Sequence, residues 1–258
     1  MPERLPGAVV RGPVVEAAPE TVLIRLPLVG RFLVRAEGPA RVERVSGATD
    51  ADLRCFAAGP VAAAAALLRG AIPLRAAAVV IGGRAVAIAG VSGAGKSGVA
   101  AALALRGHRV LADAVTVVEP SGGLLVQPLA PEPVLWPDLV EQLELDPAAG
   151  RVVRPQLAKR AFDLSPASSA EPLGAVVILG REALLEAPVA TPVAGPRKVT
   201  SLLRLAWHSR LVEPLELAGA TLGQVAAIAS TTDFVSVMRP RDGCSVAALA
   251  RVVEEQVA

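Results

Sequence analysis

The hydrophobic pattern of the first 45 residues predicts short β-strands. Apolar and β-branched residues come in brief runs, which Pro27, Gly30 and charged residues interrupt. The runs predicted as strands are residues 21–25, 31–35 and 41–45. We expect them to form a small β-rich sheet.

An alanine-rich helical segment follows these strands. Asp50 or Asp52 is predicted to cap its first helix, and Gly59–Pro60 interrupts the helical pattern before residues 61–69. Gly70 stands where a glycine commonly ends a helix, because glycine tolerates the left-handed backbone found there. The first part of the chain therefore combines strands with helices.

The rest of the chain shows a mixed α/β pattern. Apolar runs at residues 74–81 and 85–89 are joined by Gly82–Gly83, which predicts a tight hairpin. Further strands are predicted at residues 109–112, 115–119, 124–127 (after a turn at 121–123), 173–179 and 234–239, and helices at 96–106, 137–145, 196–207, 218–229 and 245–256. We predict a small N-terminal subdomain at residues 1–70 and an α/β domain with a mixed sheet and flanking helices at residues 71–258.

Composition narrows the class of protein. Of the 258 residues, 53% are hydrophobic and 19% are charged, which excludes a disordered chain. Aromatic residues make up only 2%, and the net charge is only +2. Because nucleic-acid binders rely on basic surfaces and often on stacking aromatic residues, we expect no nucleic-acid partner.

The same pattern argues against a membrane protein and a reactive thiol. The longest clean apolar run, Cys55–Leu68, is shorter than the roughly 20 residues that span a bilayer, and the N-terminus lacks a signal-like apolar stretch. We therefore expect a cytoplasmic protein without a membrane span. Cys55 and Cys244 have no metal-type spacing and are predicted to be small core or surface residues.

One motif carries clear chemistry. Residues 90–97 read Gly-Val-Ser-Gly-Ala-Gly-Lys-Ser, which fits the phosphate loop G-x-x-x-x-G-K-[ST], between a predicted strand and a predicted helix. In such a loop the backbone N–H groups surround phosphate oxygens, Lys96 reaches the β- and γ-phosphates, and the Ser97 hydroxyl binds Mg²⁺. The predicted nucleotide-binding residues are Gly90, Ser92, Gly93, Ala94, Gly95, Lys96, Ser97 and Gly98.

Asp113 is the second candidate. It ends a predicted strand 16 positions after Ser97, so one helix separates the two residues. We expect a strand–loop–helix–strand unit that places the second strand beside the first, with Asp113 near the phosphates. There Asp113 would bind Mg²⁺ or accept a proton from an attacking hydroxyl. The alternative is a carboxylate that only caps a turn.

Three segments together resemble one known family. They are Leu-Arg-Ala-Ala-Ala-Val at residues 74–79, the loop at 90–97, and Arg-Gly-His-Arg-Val-Leu-Ala-Asp at 106–113. In order and spacing they are similar to the C-terminal kinase domain of HPr kinase/phosphorylase and its short homologues. The resemblance implies a phosphoenolpyruvate-carboxykinase-like P-loop core, a Mg²⁺–nucleotide cofactor and phosphorylation of a serine hydroxyl.

The chain departs from the family pattern at three positions. Arg75 replaces a histidine, Ala114 replaces the second aspartate of a pair, and Gly98 follows the loop serine where Glu or Thr is frequent. A single carboxylate, Asp113, would then serve the metal, the acceptor hydroxyl, or both. Arg75 is a candidate catalytic residue if it points at the γ-phosphate, where its charge would offset part of the loss. The alternative for Arg75 is a solvated strand residue.

Other polar and aromatic residues are given structural roles. His108 is predicted to hydrogen-bond to the backbone between a helix and a strand, and His208 to lie on a helix surface. Lys159–Arg160 is either a phosphate or acidic-peptide contact or a solvated pair. Trp136 is predicted to be a core anchor, and the two histidines lie too far apart in sequence to suggest a zinc site.

Three functions remain open at this point. The first is an ATP-dependent kinase acting on a serine of a peptide or small protein, with Lys96, Asp113 and Arg75 as catalytic residues and Ser97 and Asp113 as metal ligands. The second is a nucleotide-binding pseudokinase that regulates or scaffolds a partner. The third is a generic P-loop ATPase. A homo-oligomer is also compatible with the sequence.

Overall fold

The computed structural model describes residues 1–120, 123–241 and 243–258. The first part of the chain is a five-stranded antiparallel meander in which each strand pairs with the next. Its strands are β1 (Val10–Arg11), β2 (Val15–Ala18), β3 (Thr21–Leu26), β4 (Gly30–Arg35) and β5 (Arg41–Arg44). The three predicted strands are confirmed, and β1 and β2 are additions that the sequence pattern did not indicate.

Two helices cover this sheet. Helices α1 (Asp50–Phe56) and α2 (Ala62–Leu68) are separated by a π-helical turn, Ala57–Val61, in which Gly59 has non-helical backbone angles. The predicted cap was wrong: Thr49 caps α1, because its side chain accepts the Asp52 N–H while the Asp52 carboxylate accepts the Thr49 N–H.

The α1–α2 segment is long and apolar. Within the described part of the chain, residues 50–68 are the one helical run that meets the length and composition of a membrane span, with a mean hydropathy of 1.4. A core helix of a water-soluble protein meets the same criteria. Pro60 lies inside the run, and Val61, Ala64 and Leu67 pack into the core of the N-terminal sheet. A cytoplasmic location stays a prediction.

The larger part of the chain is α/β, with a mixed sheet of nine strands. The strands are β6 (Ile72–Leu74), β7 (Ala76–Ile81), β8 (Arg84–Gly90), β9 (Arg109–Ala112), β10 (Thr116–Glu119), β11 (Leu125–Val126), β15 (Glu171–Glu182), β16 (Val189–Pro192) and β17 (Asp233–Pro240). A separate three-stranded sheet contains β12 (Val134–Leu135), β13 (Arg151–Arg154) and β14 (Leu157–Ala161).

Helices cover both faces of the mixed sheet. Helices α3 (Lys96–Leu105) and α8 (Val246–Val257) contribute to one apolar core, and α5 (Pro196–Leu205) and α7 (Ala218–Thr231) contribute to the other. Shorter helices are α4 (Pro137–Gln142), α6 (Ser209–Val212) and a 3₁₀ turn at Pro147–Ala149. The predicted α/β class with a mixed sheet and flanking helices is confirmed.

Two predictions about the centre of the sheet were wrong. Residues 74–81 form two strands, because the chain leaves one ladder at Arg75: β6 pairs with β10, and β7 pairs with β8 and β9. Strand β9 does not lie beside β8, since the hairpin at Gly82–Gly83 inserts β7 between them. Because both are antiparallel to β7, β8 and β9 still end at the same edge of the sheet.

The remaining elements match the sequence pattern less closely. Strands β12, β13, β14 and β16 and helix α6 were not predicted, and α4 and α5 end earlier than expected. Strands β10 and β11 pair as an antiparallel hairpin, and residues 121 and 122 of its predicted turn lie outside the described residues. Leu211 and Leu215 from the later chain pack into the core of the N-terminal sheet, and the domain division at residue 70 stays a prediction.

Candidate functional site

Four parallel strands end at one edge of the mixed sheet. Strands β8 and β17 are parallel to β15, and β9 runs in the same direction as β8. The chain leaves β8 through the glycine loop, defined here as residues 90–95, and leaves β9 at Asp113. Side chains from all four strand ends therefore meet at this edge, where ligands commonly bind in α/β sheets.

The glycine loop requires glycine at its first position. Gly90 has φ +153°, and a Cβ there would lie 2.8 Å from the Leu179 carbonyl oxygen and 3.0 Å from the Ala94 Cβ. Gly93 and Gly95 have φ of +81° and +107°, a region that side chains disfavour. The loop then enters α3, whose first-turn N–H groups have no partner within the helix.

Lys96 folds back over this loop. Its ammonium group donates hydrogen bonds to the carbonyl oxygens of Gly90 at 3.1 Å and Val91 at 3.0 Å. Burial lowers the pKa of Lys96, and the neighbouring Asp113 carboxylate opposes that effect. The positive charges of Arg75 and Lys159 lower the same pKa further, so both cations act on the Lys96 end of the site.

Ser97 and Asp113 are in direct contact. The Ser97 hydroxyl donates to Asp113 Oδ1 at 2.8 Å, and the Val134 N–H donates to Asp113 Oδ2 at 2.8 Å. Asp113 is only 5% exposed, and this burial raises the pKa of its carboxyl group. The structure thus brings the two predicted metal ligands together, and it adds a backbone partner for Asp113 that the sequence did not indicate.

The structure shows the surroundings of two of the three positions at which the chain departs from the family pattern. Gly98 is buried under α4 and α8, and a Cβ there would lie 3.1–3.2 Å from side-chain carbons of Val246 and Leu139. Ala114 has φ +69°, a left-handed conformation that Asp adopts more readily than Ala. Close packing therefore favours glycine at position 98, whereas position 114 suits an aspartate at least as well as alanine.

A cavity of about 540 Å³ opens over the loop. Its lining includes the predicted binding residues Gly90, Ser92, Gly93, Gly95, Lys96, Ser97 and Gly98, whereas the loop residue Ala94 is buried. Among the described lining residues, five are cationic and one is a carboxylate: Arg75, Lys96, Lys159, Arg181 and Arg239, against Asp138. The cavity is therefore suited to an anionic ligand.

Two arginines on adjacent strand ends were not predicted as site residues. Arg181 of β15 donates to the Gly93 carbonyl oxygen at 2.6 Å, and Arg239 of β17 is its register partner on the neighbouring strand. They lie far from the loop in sequence. The parallel β15–β8 pairing brings Arg181 to the loop, and the parallel β15–β17 pairing places Arg239 beside Arg181. The sequence carries part of this information, because each arginine lies at or just beyond the end of a predicted apolar strand.

Both tryptophans of the chain line the cavity, and each carries a cation on its ring. The guanidinium of Arg75 lies 4.1 Å from the Trp207 ring centroid, and the ammonium of Lys159 lies 4.7 Å from that of Trp136. The indole N–H of Trp207 donates to the Ala114 carbonyl oxygen at 3.4 Å. The prediction of Trp136 as a core anchor was wrong, since it is 45% exposed.

The contacts of the two histidines and of the pair Lys159–Arg160 differ from those predicted. His108 pairs with the Glu254 side chain at 2.7 Å and not with the backbone. His208 is half-buried just before α6 and contacts the Pro60 carbonyl oxygen at 2.9 Å, so its predicted position on a helix surface is only partly correct. Arg160 donates to the Gly150 carbonyl oxygen, which leaves Lys159 as the cavity residue of that pair.

The oxygen atoms at Ser97 and Asp113 fit a small divalent cation. Magnesium binds oxygen at about 2.0–2.1 Å in an octahedron, which places adjacent ligands about 2.9 Å apart. The Ser97 Oγ to Asp113 Oδ1 distance of 2.8 Å matches that spacing. Within the described ranges no group of three or more His, Cys, Asp or Glu side chains is placed to hold a metal. A cation here would take its remaining ligands from phosphate oxygens and water.

Comparison with known proteins gives only a distant likeness. No protein-family model and no curated protein matches the chain by sequence. Among solved structures, the chain is similar to the Hpr(Ser) kinase/phosphatase from Coxiella burnetii, with 13% identity and a TM-score of 0.36. That similarity covers 72% of this chain and 93% of the other. The neighbour is thus a kinase/phosphatase of distantly similar structure.

Proposed function

We propose that this protein is a Mg²⁺- and nucleotide-dependent kinase, which transfers the γ-phosphate of ATP to a serine hydroxyl of a peptide or small protein. The observation that carries the proposal is the contact between Ser97 and Asp113 at the end of the glycine loop, 2.8 Å apart. A loop of this sequence, a cationic cavity and a carboxylate at a strand end on the same edge of the sheet are the parts that phosphoryl transfer requires. The motif resemblance at residues 74–79, 90–97 and 106–113 supports the same class.

In this proposal the glycine loop and the start of α3 hold the phosphates. Backbone N–H groups that α3 leaves unpaired face the anion, and the helix dipole adds to the attraction. Lys96 exchanges its bonds to the Gly90 and Val91 carbonyl oxygens for bonds to phosphate oxygens. Arg181, which already contacts the loop at Gly93, adds a second cation at the phosphates.

Ser97 and Asp113 are the residues that would hold the cation. A Mg²⁺ held there would neutralise part of the phosphate charge. Asp113 is held in place by the Val134 N–H, so its second oxygen is fixed while the first faces Ser97. This fixed carboxylate is the group assigned here to orient the acceptor hydroxyl and receive its proton.

The transfer step replaces one phosphorus–oxygen bond by another. The acceptor oxygen bonds to the γ-phosphorus while the bond from that phosphorus to the β–γ bridging oxygen breaks, which leaves ADP. The hydroxyl proton passes to the Asp113 carboxylate and then to water. Positioned proton transfer contributes about 10²–10⁴-fold to a rate, so sharing one carboxylate between metal and proton predicts a slow enzyme.

A nucleotide-binding pseudokinase is the second candidate. The observation that favours it is Ala114, which leaves one carboxylate at the place where the family pattern has two. In that case the loop and Asp113 bind Mg²⁺–ATP, and the protein regulates or scaffolds a partner without phosphoryl transfer.

Phosphate transfer from labelled ATP to serine peptides distinguishes the two candidates. We expect slow, Mg²⁺-dependent incorporation that Lys96→Ala and Asp113→Asn abolish, while Arg204→Gln, which alters an exposed cation on α5, leaves it unchanged. Nucleotide binding without incorporation into any serine-bearing peptide or protein would favour the pseudokinase. Incorporation that persists in Lys96→Ala would refute the assigned site.

A further inference from the structure

The cationic residues of the cavity form two groups. Lys96 and Arg181 bond to carbonyl oxygens of the glycine loop, and Arg239 is the strand neighbour of Arg181. Arg75 and Lys159 form the second group. Arg75 immediately precedes β7, Lys159 lies on β14 of the separate sheet, and each cation rests on an indole ring.

Arg75 and Lys159 are each held against an indole ring. The guanidinium of Arg75 lies 4.1 Å from the Trp207 ring centroid, and the Lys159 ammonium lies 4.7 Å from that of Trp136. A cation resting on a ring face loses less freedom when it binds a ligand. Such an arrangement strengthens binding when the ligand places an anion at the position where the cation is held.

Both cation–indole pairs are tied to the immediate neighbours of Asp113. Trp207 donates to the carbonyl oxygen of Ala114, the residue after Asp113. Trp136 follows two residues after Val134, whose N–H donates to Asp113 itself. The segments that carry the two tryptophans thus both contact the chain at Asp113 or at the residue after it.

We infer that Arg75 and Lys159 form an acceptor subsite that selects a serine flanked by anionic groups. This inference rests on the proposed function. A hydroxyl that approaches Asp113 brings its neighbouring groups between the two cation–indole pairs. The complementary charge comes from carboxylates of adjacent Asp or Glu residues, or from the phosphate of an already phosphorylated neighbour. The Arg75 guanidinium can form a bidentate pair with either anion. Asp138 is the only carboxylate among the described lining residues, so little opposes such an acceptor.

Calorimetry on the full chain tests this subsite. The protein is first saturated with Mg²⁺ and a non-hydrolysable ATP analogue, and three serine peptides are then titrated. One peptide has Asp and Glu beside the serine, the second has Asn and Gln there, and the third has phosphoserine there. We expect at least about tenfold tighter binding of the acidic or phosphorylated peptide than of the neutral one. The preferred anionic peptide identifies the source of the charge.

Variants assign the preference to the two cations. Arg75→Gln and Lys159→Gln are expected to weaken the preferred peptide about tenfold and to weaken the nucleotide analogue much less. Arg75→Lys should restore part of the preference, because it keeps the charge and loses the fork. Arg204→Gln, at an exposed arginine on α5 outside the cavity lining, is the matched control and should change neither affinity.

The outcomes separate this inference from the proposed function. Equal binding of the three peptides, or no peptide binding to the nucleotide-loaded protein, overturns the acceptor subsite and leaves nucleotide binding intact. Loss of nucleotide affinity in Arg75→Gln and Lys159→Gln, with peptide binding unchanged, also overturns it, since the cations would then serve the phosphates. Failure of the wild-type protein to bind the nucleotide analogue overturns both.

Discussion

Asp113→Asn separates a metal-binding carboxylate from a carboxylate that only holds the fold together. Asparagine has the same shape, and its oxygen can accept the Val134 N–H while its amide donates to the Ser97 hydroxyl. Burial raises the pKa of Asp113, which means that the folded state disfavours its charge at neutral pH. Removing that charge therefore relieves a cost. We expect Asp113→Asn to be as stable as the wild type or more stable.

Asp113→Ala provides the contrasting magnitude. Alanine accepts neither hydrogen bond, so the partly buried Val134 N–H loses its partner, which costs about 1–3 kcal/mol. For a chain of this size each kcal/mol corresponds to a shift of about 2–4 °C in Tm. Asp113→Ala should therefore unfold roughly 2–12 °C below Asp113→Asn, since both variants remove the charge and only alanine leaves the N–H without its partner.

Thermal unfolding with and without Mg²⁺–ATP is the assay. A ligand at about one hundred times its Kd stabilises the folded state by about 2.7 kcal/mol. We expect that gain for the wild type and no Mg²⁺-dependent gain for either variant. The reasoning is refuted if Asp113→Asn loses stability as Asp113→Ala does, yet keeps the full Mg²⁺-dependent gain, because Asp113 would then be a structural hub.

Three further predictions test separate parts of the account. Gly90→Ala should destabilise the protein by about 1–3 kcal/mol in chemical denaturation, because its Cβ would lie 2.8 Å from the Leu179 carbonyl oxygen; an unchanged midpoint would contradict the close approach. Ala114→Asp should keep stability, since its φ of +69° suits Asp, and should raise phosphate transfer by up to about 10²–10⁴-fold in a peptide-kinase assay; no rise would show that a second carboxylate is not limiting. Hydrogen bonding to Arg25, and then to Leu5 and Arg4, lowers the pKa of Glu16 from 4.5 to about 2. The charged Glu16 carboxylate therefore stabilises the folded state fully above pH 4.5, and this stabilisation is lost as the pH falls to about 2. Glu16→Gln should therefore be less stable than the wild type at neutral pH, with a difference that shrinks across this window, and a constant difference in denaturation at each pH would contradict the assignment.

Local sequence patterns correctly predicted those parts of the fold that depend on residues close together in the chain. The hairpin at Gly82–Gly83, the glycine loop and the start of α3 at Lys96 follow from turn glycines and from the change from strand to helix periodicity. Strands β13 and β14 were missed because they carry several arginine and lysine residues and few buried positions. Their sheet forms through cross-strand pairing that short-range patterns do not contain.

The candidate site was predictable only where it lies near the loop in sequence. Lys96, Ser97 and Asp113 belong to one strand–helix–strand segment, and their meeting follows from strand direction even though β7 separates the two strands. Arg181 reaches the loop through the long-range parallel pairing of β15 with β8, and Arg239 lies beside Arg181 through the pairing of β15 with β17. The contact of Arg75 with Trp207 also joins residues that lie far apart in the chain. No local pattern carries this information.

Calorimetric titration of the wild-type protein with ATP, in the presence and absence of Mg²⁺, tests the central claim most directly. The account predicts saturable binding that Mg²⁺ strengthens and that Lys96→Ala and Ser97→Ala both weaken by at least about tenfold. Absence of binding, or binding that neither Mg²⁺ nor these two substitutions affect, would contradict it.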